Sequence, residues 1–145
     1  MIFDDAQFEA FLEDITVPFL IGDVSRWRAR IRLPFSLITQ SGPVTLTTDD
    51  EVKENFALYL KAKEAIHYDL IVRKPVNFET CPDGTVIATY HNEFLYHGLR
   101  IRDPYTASAL LHPDDGIWRM SSILNALGHH QWTGKHPYLS GEEEK

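Results

Sequence analysis

Phe35-Ser36-Leu37-Ile38-Thr39-Gln40-Ser41-Gly42-Pro43-Val44-Thr45-Leu46-Thr47-Thr48-Asp49-Asp50-Glu51 is the stretch whose reading decides the fold. Two runs rich in β-branched and aromatic residues, Phe35 to Gln40 and Val44 to Thr48, flank Ser41-Gly42-Pro43. That triplet is turn chemistry, so the two runs read as a β-hairpin. Thr48 then stands where a helix N-cap belongs, with Glu51 three residues on as its capping-box partner. Val52, Phe56, Tyr59, Leu60 and Lys63 carry the helix onward. The last four mark one face, and the long stem of Lys63 can lie along its apolar edge.

Upstream of the hairpin, Phe8, Phe11, Leu12 and Ile15 recur at three- and four-residue spacing. This predicts a helix from Asp4 to about Leu20, with Asp4 and Asp5 at its amino terminus and Pro18 as a kink or an end. Gly22-Asp23 breaks the chain, and Asp23 or Ser25 can cap a second helix through Trp27, Arg28 and Ile31 to Leu33, which Pro34 should stop. Arg26, Arg28, Arg30 and Arg32 alternate, so on a helix they form no single basic stripe.

Downstream, no further helix of any length is expected. Tyr68 to Phe78 reads as a strand that Lys74-Pro75 interrupts, which argues for a bulge or an edge position. After the turn Pro82-Asp83-Gly84, a long strand runs from Thr85 to His97, and Gly98 bends out of it. Ile101 to Leu111 and Ile117 to Leu124 follow, joined by Pro113-Asp114-Asp115-Gly116. The expected organisation is one domain over residues 4–127 and a polar, loosely held tail over 128–145, with His129, His130 and His136 in it. Helices followed by a run of strands imply α+β layering.

This order, with Asp115-Gly116-Ile117-Trp118-Arg119-Met120 in the final strand, resembles the nuclear-transport-factor-2-like (NTF2-like) superfamily. SnoaL-like cyclases, ketosteroid isomerases and scytalone dehydratases share that fold. The resemblance spans roughly Asp4 to Leu127. It implies a cone: a strongly curved mixed or antiparallel sheet wrapped around three N-terminal helices, with a pocket at the open end. It also implies dimers packed sheet against sheet. Ketosteroid isomerases carry an aspartate base on the first hairpin strand, a second acid on a later strand, and a tyrosine. Here Phe35 to Thr39 and Tyr105-Thr106-Ala107-Ser108-Ala109 hold no carboxylate, and the first helix offers Phe8, Phe11 and Phe19 but no tyrosine. That isomerase mechanism is therefore not expected. Scytalone dehydratase chemistry uses residue types this chain has, without a position-by-position match.

Composition narrows the function classes. The chain has 145 residues, is 43% hydrophobic and 24% charged, and carries a net charge of −7. An acidic surface repels phosphates, so nucleic acid is disfavoured as a partner. No apolar run approaches a membrane span, and Met1 to Asp5 lacks a secretory pattern, so membrane partners are not expected and the cytoplasm is the expected location. The single cysteine, Cys81, precedes a turn and reads as inert.

Candidate chemistry falls in three groups. His67 and Asp69 lie two apart at the start of a strand and would share a face, so they are the candidate acid–base pair; the alternative is an exposed strand end. On the strand from Thr85, one face carries Val86, Ala88, Tyr90, Asn92, Phe94 and Tyr96, the pattern of a pocket or core wall. The opposite face holds Ile87, His91, Glu93 and Leu95 and suits a partner subunit, with Ile117 nearby. Trp27, Tyr59, Tyr90, Asn92, Tyr105 and Trp118 are the candidate ligand-binding residues, Met120 a further wall residue. His91 and His97 are six apart on a strand, about 20 Å, too far to share an ion, so no metal is expected. No cofactor is implied. The expected function is a binding protein for a hydrophobic or aromatic small molecule, in the form of a SnoaL-like isomerase, dehydratase or cyclase. The alternative is a non-catalytic dimerisation or binding module, and in either case a homodimer through the sheet is expected.

Overall fold

The structure, a computed structural model, describes residues 2–127. The expected tail over 128–145 lies outside them. Helix α1 spans Asp5–Asp14, α2 Val17–Ile21, α3 Val24–Arg28 and α4 Asp49–Ile66. Strands β1 Ile31–Thr39 and β2 Gly42–Leu46 form the hairpin. After α4 come β3 Leu70–Thr80, β4 Val86–Tyr96, the short β5 Leu99–Arg100, β6 Tyr105–Asp114 and β7 Ile117–Leu124. The sheet order is β2-β1-β7-β6-β4-β3, with β5 on β4. All pairings are antiparallel except β1 with β7. The architecture is α+β: helices first, then a curved, mostly antiparallel open sheet.

The hairpin and α4 form as their chemistry dictates. Thr39 pairs with Gly42 across the turn, and Gly42 sits at φ 113, where a side chain would be strained. The Thr48 Oγ1 accepts the Glu51 N–H at 3.1 Å, which is the N-cap. The reciprocal bond is displaced by one residue: Glu51 Oε1 accepts the N–H of Thr47 at 2.7 Å.

Two helix boundaries differ from the sequence expectation. The predicted Asp4–Leu20 helix is two helices. Thr16 returns its hydroxyl to Leu12 O at 2.6 Å, and Pro18 occupies the first turn of α2, where its missing N–H costs nothing. The second predicted helix ends at Arg28 rather than Leu33. Ile31 instead pairs with Met120 of β7, and Met120 N–H donates to Arg30 O at 2.7 Å. Pro34 then falls within a strand, in the gap of the β1–β7 ladder between Ile31 and Ser36 and before the β1–β2 ladder begins at Phe35. No partner needs the N–H that proline lacks there. The interruption read at Lys74-Pro75 is both a bulge and an edge: β3 is the last strand of the sheet, and its register shifts between Pro75 and Asn77. Further shifts at Ile31/Ser36 and Leu110/Leu111 add bends that curve the sheet.

One apolar core joins the helices to the inner sheet face, through Phe8, Phe11 and Phe56 on one side and Val86, Ala88 and Leu111 on the other. Arg30 is buried beside it. Its Nε donates to Asp14 Oδ2 at 2.8 Å and its Nη1 to Trp118 O at 3.0 Å, which locks α1 to β7. Among the described residues no helix is long and apolar enough to cross a membrane.

Candidate ligand-binding cavity

Strand alternation builds the site. On β4 the inward residues Tyr90, Asn92 and Phe94 are buried, while His91 and Glu93 between them face outward and are partly exposed. Across the ladder Arg73 of β3 stands opposite Asn92, and Ile71 opposite Phe94. On the other side Tyr105 and Ala107 of β6 stand opposite Asn92 and Tyr90. Helices close over this wall with Phe19 of α2, Trp27 of α3 and Tyr59 of α4. The residues enclose a cavity of ≈ 70 Å³.

The aromatic wall is ordered by ring contacts. Phe94 stacks on Tyr105 at 6.3 Å and meets Tyr68 edge-on at 5.1 Å. Phe19 meets Trp27 edge-on at 4.7 Å. Burial pushes the hydroxyls of Tyr68 and Tyr90 up from 10.0 to about 12, because a phenolate loses its hydration there. Burial raises Tyr59 and Tyr105 in the same direction. All four remain neutral hydroxyls near pH 7.

Among the described residues Arg73 is the one cation in the lining. Its Nε donates to Thr16 Oγ1 at 3.0 Å, one Nη1 N–H to Asn92 Oδ1 at 2.6 Å, and Nη2 to Ile15 O at 3.4 Å. Its guanidinium also lies 5.9 Å from the Tyr90 ring centroid. Every one of these acceptors is neutral, and no ion pair of the described residues includes Arg73. The bond from Arg73 fixes the amide of Asn92, since a guanidinium can only donate. The Nδ2 of Asn92 therefore points the other way. It is buried without a hydrogen-bond partner, and so is the Nε1 of Trp27. The cavity thus presents an arginine and two unmatched N–H donors. Among the described residues its lining contains no Asp, Glu or His.

Beyond the cavity lies an open groove of ≈ 340 Å³, and Tyr105, Ala126 and Leu127 line both spaces. That partition is pinned from three sides. Tyr59 Oη donates to Leu127 O, Ala126 N–H to Ile38 O at 2.9 Å, and Asn125 Nδ2 to Thr106 O at 2.6 Å. Arg102 sits over the Tyr105 ring at 5.1 Å from its centroid, on the groove side.

No protein-family model matches the chain, and no curated protein matches it in sequence. Solved structures do match its shape. An NTF-2-like protein of unknown function from Shewanella oneidensis MR-1 superposes with a TM-score of 0.64, at 10% identity, over 82% of this chain and 95% of that one. A cystatin-like domain of unknown function from Nostoc punctiforme gives 0.63, at 13% identity, over 85% and 76%. The chain has the NTF2-like fold. Aln2 from a Streptomyces species is also similar, with a TM-score of 0.64, 15% identity and coverage of 83% and 89%.

Within this NTF2-like cone the residues singled out from sequence separate cleanly. Trp27, Tyr59, Tyr90, Asn92 and Tyr105 all line the cavity. Trp118 does not: it is buried in the core against Phe3, at 5.3 Å between rings. His67 and Asp69 also stand apart from the cavity lining. The strand premise behind that pair is corrected, since β3 begins only at Leu70. His67 is the left-handed C-cap of α4, at φ 63, and is exposed. Asp69 is exposed too, and its Oδ2 accepts the N–H of His97 at 3.1 Å. Sequence reasoning missed Arg73 and Tyr68. The signal for Arg73 was its phase: it lies two residues from buried Ile71 on the inward face of an edge strand.

A serine–histidine contact on the outer face has no nucleophilic geometry. His112 Nε2 lies 2.7 Å from Ser121 Oγ, while its Nδ1 lies 2.6 Å from Arg32 Nη1. Arginine only donates, so Nδ1 accepts and Nε2 carries the proton that points at serine. A base in that tautomer cannot take the hydroxyl proton.

Proposed function

We propose that this chain binds a small molecule in the aromatic cavity beneath α2, α3 and α4. The observation that carries the reading is the buried Nδ2 of Asn92, left without an acceptor in the cavity wall. An unpaired buried donor costs about 1–3 kcal/mol, a cost that an acceptor on a bound ligand would relieve. Trp27 Nε1 adds a second in the same wall. Apolar walls with a few convergent polar groups are what small-molecule sites offer.

The narrower form, an isomerase, dehydratase or cyclase of the SnoaL-like kind, needs a base beside the ligand. Among the described residues the lining supplies donors and no carboxylate or imidazole. Binding, with polarisation of a ligand oxygen, is therefore what these residues support. A thermal-shift screen of small aromatic and aliphatic compounds tests it. Compounds that raise the melting temperature of the native chain should raise that of Asn92→Leu much less. Stabilisation that is equal in both chains would remove the cavity from the binding site.

A homodimer through the outer sheet face remains part of the proposal, supported by the exposure of Ile87 and Leu124 there. Sedimentation velocity on the native chain and Ile87→Lys tests it: a dimer that dissociates in the variant supports the interface, and a native monomer refutes it.

A further inference from the structure

The shape and charge of the cavity narrow the class of ligand, resting on the binding reading above. Arginine has five N–H groups in a rigid fork. In Arg73 three of them go to Thr16, Asn92 and Ile15, leaving two for a ligand and for the hydroxyl of Tyr105, with which Arg73 also interacts. Among the described residues no counter-charge answers the guanidinium, since all these partners are neutral. The Asn92 Nδ2, a buried donor without an acceptor, belongs to the facing residue of the same cavity wall. The fork matches the two oxygens of a carboxylate, one charge against one, with phosphate as the competing anion.

Size gives the second constraint. At ≈ 70 Å³ the cavity is less than half the roughly 150 Å³ of an apolar cavity that takes up benzene. It has room for a small head group. The groove of ≈ 340 Å³ behind Tyr105 and Leu127 has room for a body.

We infer that the ligand is a monocarboxylic acid whose carboxylate docks on Arg73 and Asn92, while its apolar body passes the Tyr105–Leu127 partition into the groove. Tyr59 is then the latch of that partition, since its hydroxyl holds Leu127 O. Arg102 covers the outer side of Tyr105 and takes no part in the head-group contact.

Isothermal titration with matched acids and amides tests this: butanoate, hexanoate and octanoate against the corresponding primary amides, and benzoate against benzamide. Each acid should bind at least about tenfold more tightly than its amide, the worth of a charge-assisted over a neutral hydrogen bond. Affinity should rise from butanoate to octanoate as the body fills the groove. Arg73→Met should erase the preference for the acid, so that acid and amide bind alike. Arg73→Lys, which keeps the charge and loses the fork, should retain part of the preference. If Arg73→Met fails to fold, the native acid–amide comparison and Arg73→Lys decide alone. Amides that bind as well as acids would overturn the carboxylate assignment and leave the cavity as a binding site. Inorganic phosphate that displaces hexanoate at equal or lower concentration would overturn it in favour of a phosphate ligand. Binding by neither series would overturn this inference and count against the binding reading as well, which the wider thermal-shift screen then decides separately.

Discussion

Arg73 and Asn92 face each other across the β3–β4 ladder, and the 2.6 Å bond from Arg73 Nη1 to Asn92 Oδ1 leaves the other end of this cavity-lining amide buried without a partner. Sheet pairing alone would be served by any two inward residues of the right size. Among the described residues no anion answers this charged donor on its apolar wall, and an incoming acceptor would.

His67 and Asp69 provide the first test of where the site is. Both are exposed and neither lines the cavity. His67→Ala and Asp69→Ala should therefore leave ligand affinity within about twofold of the native value. A tenfold loss in either, measured by titration calorimetry on a well-folded variant, would move the site to the end of α4.

Tyr59→Phe should loosen the partition between cavity and groove. The substitution leaves Leu127 O without its hydroxyl partner, a loss of about 1–2 kcal/mol. Urea unfolding should report that drop, and stopped-flow binding should show faster entry. Unchanged stability with unchanged entry would mean that Tyr59 is no latch.

Asp14 carries a heavier structural duty than its partial exposure suggests. It bonds Arg26 Nε at 2.7 Å and Arg30 Nε at 2.8 Å, and Arg30 is 6% exposed. Removing the carboxylate leaves a buried guanidinium without a counter-charge, which costs about 3–5 kcal/mol. Asp14→Ala should therefore lose several kcal/mol in chemical denaturation. A loss under about 1 kcal/mol would show that Arg30 finds its compensation elsewhere.

Alkaline pH should unfold the chain through its buried tyrosines. Tyr68 and Tyr90 are raised from 10.0 to about 12 by burial, so the folded state holds their protons more tightly than the unfolded chain does. That stability is fully present below pH 10 and is lost as pH rises toward 12, on the order of 2 kcal/mol per tyrosine. Exposed Tyr96 should ionise without unfolding, and the remaining phenolate absorbance should rise together with the change in circular dichroism. Ionisation of all the tyrosines near pH 10 with the fold intact would contradict the burial.

Much of this molecule is legible in its residues. Thr48 with Glu51, the hairpin turn, one residue earlier than read, at Gln40-Ser41, and the alternation from Val86 to Phe94 each follow from local chemistry. The element order was enough to suggest the fold. What sequence misplaced depends on distant partners. Ile31 to Leu33 has helical spacing behind it, yet β7, nearly ninety residues on, recruits it into a parallel pair. His67 and Asp69 looked like a strand pair because nothing local marks the left-handed cap at His67. The cavity shows the same division. Tyr90 and Asn92 were readable from alternation, but Arg73 becomes a site residue only through its register opposite Asn92 and its reach to Thr16.

The indole N–H signals in a ¹⁵N-labelled sample offer the most direct measurement. Trp27 Nε1 and Trp118 Nε1 are both buried without an acceptor, but only Trp27 lines the cavity. Assigned through Trp27→Phe and Trp118→Phe, the two signals become a probe and its internal control. On titration with benzoate or hexanoate, the Trp27 signal should move and saturate while that of Trp118 stays in place. Both signals stationary through either titration, or Trp118 moving in place of Trp27, would contradict a ligand site in this cavity.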